Sequence, residues 1–215
     1  MNSPKPNSRP TDPEKGPFSD IEMQSIYKAT TDAFACGRIS IREYVLVLLF
    51  AALGARSVQV SDLKVRDLMV TTSSDGSPNY ILSVPRARMR GNPARWELTK
   101  QPLVSGLGQL VAHLIVVVKR DALTVPLHRV NDPLDLPLFP QWDSDAPLGF
   151  GHHSGSRRIA AELKEILGKL PIISERTGRQ IAVTTQRFRL TLATRAAQEG
   201  FSKLVIARPL GHSDR

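Results

Sequence analysis

Apolar positions along this chain recur first at a helical period, then at a strand period, then at a helical one again. Ser19-Asp20-Ile21-Glu22 opens the first helical stretch. A serine three residues ahead of a glutamate lets each side chain satisfy a backbone N–H of the other at a helix start. The predicted helix runs to Cys36 and stops at Gly37. A second begins near Ser40, where Ile41, Tyr44, Val45, Leu48, Leu49 and Ala52 keep helical spacing, and it reads as the core helix. It meets Gly54 and then Arg56, and a short helical stretch is expected over 58–63.

The period then shortens. Residues 68–72, 80–84 and 95–98 are short and β-prone, with turns at Asp75-Gly76 and at 90–93, predicting a three-stranded antiparallel sheet. Leu103, Leu107, Leu110, Val111, Leu114, Ile115 and Val118 restore a helical face. Residues 121–156 are proline-rich and loop-like. Residues 158–170 form a helix with Ile159, Leu163, Ile166 and Leu167 inward. A further helix spans 185–199, ended by Gly200, and a short one spans 202–207, limited by Pro209. The fold class is α+β, mainly α, with one small antiparallel sheet. Residues 1–17 read as a flexible proline-rich linker or tail and 18–215 as one domain.

Composition adds a partner class. Lys and Arg total 29 against 20 Asp and Glu, a net charge of +9, which favours a polyanion such as nucleic acid. The single cysteine, Cys36, forms no intramolecular disulfide, consistent with a reducing compartment. The N-terminus has no apolar signal core, and the longest apolar run, 44–55, is too short for a bilayer. No phosphate-cradling glycine loop and no Cys/His metal spacing occurs. His152-His153 reads as part of a surface loop in preference to a metal site. No metal or nucleotide cofactor is expected.

Three residues carry candidate chemistry. Arg56 follows the core helix and by default satisfies its last carbonyls. Arg189 sits inside a helix, where snorkelling or a buried ion pair is the default. His212, after Leu210-Gly211, is by default a solvated loop histidine.

Taken in order these residues resemble the catalytic domain of the tyrosine recombinase (phage integrase) family over roughly residues 18–215. That family's signature helix reads His-x-Leu-Arg-His-Thr-x-Ala-Thr, and here the frame is Gln186-Arg187-Phe188-Arg189-Leu190-Thr191-Leu192-Ala193-Thr194. The family's Leu-Gly-His is Leu210-Gly211-His212. Its upstream Gly-Leu-Arg-x-x-Glu-Leu, followed by Leu and Asp at fixed steps, corresponds to Gly54-Ala55-Arg56-Ser57-Val58-Gln59-Val60, then Leu63 and Asp67. The resemblance implies that Arg56 and Arg189 clamp the non-bridging oxygens of a scissile phosphodiester, with His212 as a further donor.

Alignment of Arg95-Trp96-Glu97-Leu98 with the family's third strand puts Arg90 at the position of the family's proton-donating lysine; arginine stays charged, so either Arg90 serves only electrostatically or Arg86, Arg88 or Lys100 shares the task. Gln186 stands at a family histidine and cannot exchange a proton near neutral pH. Gln59 replaces a carboxylate that would orient the neighbouring arginine. Arg86, Arg88 and Arg187 are expected to contact DNA.

The implied activity is site-specific DNA recombination or integration through a 3′-phosphotyrosine intermediate. The family's tyrosine would fall beyond Arg215, and Tyr27, Tyr44 and Tyr80 occupy no matching position, so the chain alone is expected not to cleave DNA. The implied partners are double-stranded DNA and other recombinase protomers, with no membrane, and the implied setting is a cytoplasmic, nucleoid-associated protein of bacterial or phage origin. The 1–17 stretch looks like the linker after the family's DNA-clamping domain, and a monomer is expected in solution. A non-catalytic DNA-binding protein on a degenerate recombinase fold is the alternative reading, and a basic helical domain unrelated to DNA is a third.

Overall fold

The computed structural model describes residues 12–86, 95, 97–123, 132–141 and 153–201, and the elements below are those among them. Helices α1 (Asp20–Ala35), α2 (Ile41–Leu53) and α3 (Ser57–Ser61) precede strands β1 (Leu68–Thr72), β2 (Pro78–Pro85) and β3 (Leu98–Leu103). Helices α4 (Ser105–Ala122), α5 (Ser156–Gly168) and α6 (Thr185–Gln198) follow. The mainly α class with a small antiparallel sheet is the observed architecture.

The first two helices start by the same device. Ser19 Oγ accepts from Glu22 N–H at 3.0 Å while Glu22 Oε2 accepts Ser19 N–H at 3.1 Å. Ser40 and Glu43 repeat the exchange at 3.2 and 2.7 Å. The four orphan N–H groups of each helix start are thereby partly satisfied. Gly37 and Gly54 end them in the left-handed region, at φ 68° and 55°.

Helix α2 is the hub. Tyr44, Val45, Leu46, Val47, Leu49, Phe50 and Ala51 are all buried, so it has no solvent face along its middle turns, and α1, α4, α5 and α6 pack around it. The periodic reading identified the helix and misjudged its inward side. Ile41 and Leu48 are only half-buried and Ala52 is exposed, whereas Leu46, Val47 and Phe50 are fully covered.

The sheet has the order β1-β2-β3, with Leu68 opposite Leu82 and Tyr80 opposite Leu103. Tyr80, Leu82 and Val84 of β2 face the core. Helix α4 lies on this face so closely that a Cβ at Gly108 would stand 2.1 Å from Tyr80 Cγ, and only glycine allows that approach. The third strand corrects the expectation of 95–98: it is Leu98–Leu103, and Leu103 ends a strand instead of starting a helix. Pro102 disguised it. Proline lacks a ladder donor but is tolerated on an edge strand, which β3 is.

Of the loop-like stretch expected over 121–156, the structure describes 132–141 between α4 and His153. Val65 N–H donates to Leu136 O and Leu138 N–H to Leu63 O, at 2.9 Å each, so residues 132–141 dock beside the exit of α3 and bury Leu136, Leu138 and Phe139. Residues 12–17 are likewise no free tail. Asp12 caps a turn through the N–H groups of Glu14 and Lys15, and Gly16 is buried. The expected helix over 202–207 and the turn at 90–93 lie outside the described residues. Among the described residues no helix is long and apolar enough to cross a membrane.

Candidate phosphate-binding site

The site forms where α2 ends. Gly54 takes the left-handed conformation that closes α2, and its N–H bonds Phe50 O at 3.0 Å. Ala55 is buried behind it. Arg56 then adopts an extended conformation (φ −77°, ψ 148°) at the start of α3. The turn is held by Gln59, whose Oε1 accepts Arg56 N–H at 3.0 Å. The Arg56 side chain is exposed, and among the described residues none bonds its guanidinium.

Arg189 arrives from α6, which packs against α2. Its side chain is buried, and Nη1 donates to Gly54 O at 3.3 Å. Burial, and then the like charge of Arg56, push its pKa down from 12.5 to about 10. Arg189 therefore stays protonated near neutral pH at an electrostatic cost of roughly 3 kcal/mol. Two guanidinium groups from separate segments thus share one end of α2. Such a pair is stabilised by an anion between them, and a tetrahedral phosphate presents enough oxygens to accept from both.

Arg187 corrects the expectation of a DNA contact. It is 1% exposed. Its Nε donates to Gly16 O and Nη2 to Pro13 O, both at 2.9 Å; Nη1 donates to Ala182 O. Nη2 also reaches Glu22 Oε2 at 3.1 Å, and the guanidinium lies 4.0 Å from the centroid of the Phe18 ring. Burial pulls its pKa down against the pull of Glu22. Positions two apart on a helix point about 200° from one another, so the sequence did carry a signal that Arg187 and Arg189 could not share a surface. Around Arg187, Phe18 N–H donates to Thr191 Oγ1 at 2.7 Å and Phe18 packs on Phe188 with centroids 5.0 Å apart. Residues 13–18 and α6 are one packed unit.

Glu22 is the hidden centre of that unit. Fully buried, it accepts from Ser174 Oγ at 2.6 Å and from Arg176 and Arg187. Burial raises its pKa, but the bonds from Arg176, Ser174 and the Ser19 N–H outweigh burial and hold it below the usual glutamate value.

The remaining candidates divide clearly. Gln186 is exposed on the first turn of α6. Arg86 follows β2 and pairs with Glu97 at 2.6 Å. Lys100 is exposed on β3, opposite Ser83. Arg88, Arg90 and His212 lie outside the described residues. Tyr44 bonds Thr31 and stacks on Phe34, Tyr80 packs under α4, and Tyr27 lies on α1. His153 is half-buried, and its Nδ1–H donates to Ser61 O at 2.6 Å, so the surface-loop reading missed an anchoring role. The accepting carbonyl lies far upstream in the chain, and nothing beside His153 in the sequence signals it. Among the described residues no cluster of His, Cys, Asp and Glu could hold a metal ion.

No protein-family model and no curated protein matches the sequence. Solved structures do match. XerA recombinase superposes with a TM-score of 0.56 at 17% identity, covering 92% of this chain and 56% of that one. The XerH site-specific recombinase bound to difH substrate, a pre-cleavage complex, gives 0.59 at 15% identity over 92% of this chain and 47% of that one. The Tn1549 transposon integrase in complex with transposon right end DNA gives 0.59 at 14% identity, over 95% and 60%. The chain spans about half the length of these proteins. Arg56 and Arg189 meet at the end of α2 within an architecture that site-specific recombinases and an integrase share, and the chain has the fold of a tyrosine recombinase catalytic domain.

Proposed function

We propose that this chain is the phosphate-binding core of an enzyme of site-specific DNA recombination or integration. The observation that carries the reading is the convergence of exposed Arg56 and buried Arg189 at one end of α2. Their charge suits the oxygens of a phosphodiester, which gain negative charge in the transition state. The net charge of +9 and the DNA complexes among the structural neighbours support duplex DNA as the partner.

In this reading a tyrosine hydroxyl attacks the scissile phosphorus. The 5′-oxygen leaves with a proton, and a 3′-phosphotyrosyl bond keeps the energy of the broken one. Attack by a 5′-hydroxyl of a second strand then restores the diester and frees the tyrosine, with no metal or nucleotide consumed. Arg56 and Arg189 stabilise the pentavalent phosphate, and His212 donates to it. Arg90 holds the lysine position electrostatically. Tyr44 and Tyr80 are held in packing contacts and Tyr27 lies on α1, so this reading assigns the nucleophile to none of the three.

Binding to labelled duplex DNA tests the core of this reading. Affinity should fall steeply with salt, with a slope of about −0.9 per neutralised phosphate. Arg56→Ala and Arg189→Ala should each weaken binding, and salt-independent binding would overturn the assignment. A nicked suicide substrate should give no covalent adduct with this chain alone. A second reading, a non-catalytic DNA-binding protein, is favoured by the exposed amide of Gln186 at the family's histidine position. Adduct formation by an extended chain that carries the tyrosine separates the two.

A further inference from the structure

Two anchors tie the β2–β3 connection to the turn that aims Arg56, and neither belongs to the arginine pair itself. The first is Gln59. It is buried, its Oε1 accepts Arg56 N–H at 3.0 Å, and its Nε2 donates to Pro85 O at 2.8 Å. Both ends of the amide are used, so its orientation is fixed by chemistry: an N–H must meet an oxygen, and a carbonyl must meet an N–H. A carboxylate could make the first bond. It could not make the second, where two oxygens would face each other in a buried site.

The second anchor is Arg95, at the far end of the same connection. Its two terminal nitrogens reach both oxygens of Asp67, and Nη1 also donates to Asp62 O at 2.6 Å. Asp67 is 2% exposed and accepts Lys64 N–H at 2.7 Å as well. Asp62 caps the C-terminal end of α3, the helix that Arg56 begins. Arg95 holds φ at 63°, a left-handed conformation unusual for a residue with a side chain, and its three bonds offset that strain. At the base of the connection, one step beyond the Pro85–Leu98 pair, Arg86 N–H donates to Glu97 O at 2.9 Å and the two side chains pair at 2.6 Å.

We infer that Gln59 and the Arg95–Asp67 pair are positioning residues that fix the β2–β3 connection to both ends of α3 and thereby set the aim of Arg56. The inference rests on the proposed role of Arg56 in binding phosphate. It also explains a glutamine at position 59: the site needs a donor and an acceptor at once. The consequence is coupling. Releasing either anchor should loosen the Arg56 turn and the connection together, although one acts at the start of α3 and the other at its end.

Hydrogen exchange of the whole chain, read on peptides spanning 54–60 and 84–98, tests this without reference to DNA. Gln59→Glu should speed exchange in both peptides about tenfold, the loss of roughly one net hydrogen bond. Arg95→Lys, which keeps the charge but not the fork, should do the same in the same two peptides. Exchange raised only at the mutated end overturns the coupling. If Gln59→Glu fails to fold, Gln59→Met and Arg95→Lys decide the same question. Duplex binding supplies the second arm. With melting temperature held, each variant should lower the salt slope by about one phosphate contact. An unchanged slope in a variant with coupled exchange overturns the aiming of Arg56. Absence of DNA binding by the unmodified chain overturns the proposed function and leaves the exchange result standing.

Discussion

Glu22 and Arg187 stand 165 residues apart in sequence and meet at 3.1 Å in the interior, with 0% and 1% of their side chains exposed. This contact decides how the N-terminal segment relates to the helix that carries Arg189. Breaking a buried pair by removing one partner leaves an uncompensated charge. Glu22→Ala should therefore lower unfolding free energy by about 3–5 kcal/mol, measured by urea denaturation. Because Arg176 also depends on Glu22, Glu22→Ala and Arg187→Ala together should cost less than the sum of the single changes.

Acid should weaken the protein in two stages. His153 has its pKa lowered from 6.5, chiefly by burial, and Glu22 has its pKa lowered from 4.5. In both cases the unfolded chain takes up protons first, so stability is present above the unfolded value and is lost as pH falls through the folded one. Stability should decline as pH drops below 6.5, and again below 4.5. Denaturant midpoints taken from mildly alkaline pH downward check this. His153→Asn should flatten the first stage relative to the unmodified chain, and an identical pH profile would count against the assignment.

Arg189 should trade stability against binding. Its burial and its proximity to Arg56 cost free energy that an apolar side chain of similar length would not incur. Arg189→Met is expected to leave the melting temperature unchanged or raised while duplex affinity falls at least about tenfold, the loss of one charge-assisted contact. A thermal scan and a binding titration on the same sample check both halves.

Gly108 should tolerate nothing larger. An added Cβ would overlap Tyr80 at 2.1 Å, and ring, helix and sheet would all have to shift. Gly108→Ala should cost about 1–3 kcal/mol despite the better helix propensity of alanine. Gly106, earlier in the same helix and with open space around it, is the control, and Gly106→Ala should be neutral or stabilising.

The elements were legible where the signal is local. Ser19 with Glu22 announced the start of α1, Gly37 its end, and Ile159, Leu163, Ile166 and Leu167 the inward face of α5. Arg56 and Arg189 stood out through their order in the chain, and the structure brings both to the end of α2. What stayed hidden depends on distant partners. Glu22 reads locally as a cap, and nothing near it announces Arg176 or Arg187. Pro102 masked β3, because an edge strand tolerates what a central strand does not. Gln59 read as a missing carboxylate, and only the position of Pro85 O shows why an amide fits.

The left-handed Gly54 that closes α2 has an electrical consequence. Peptide dipoles along a helix sum to about half a negative unit at its C-terminal end, and Arg189 meets that end through Gly54 O. A partial charge of this kind tempers a buried cation without cancelling it. The cost of holding Arg189 charged beside Arg56 is thus met in part by backbone alone, at the point where α2 stops.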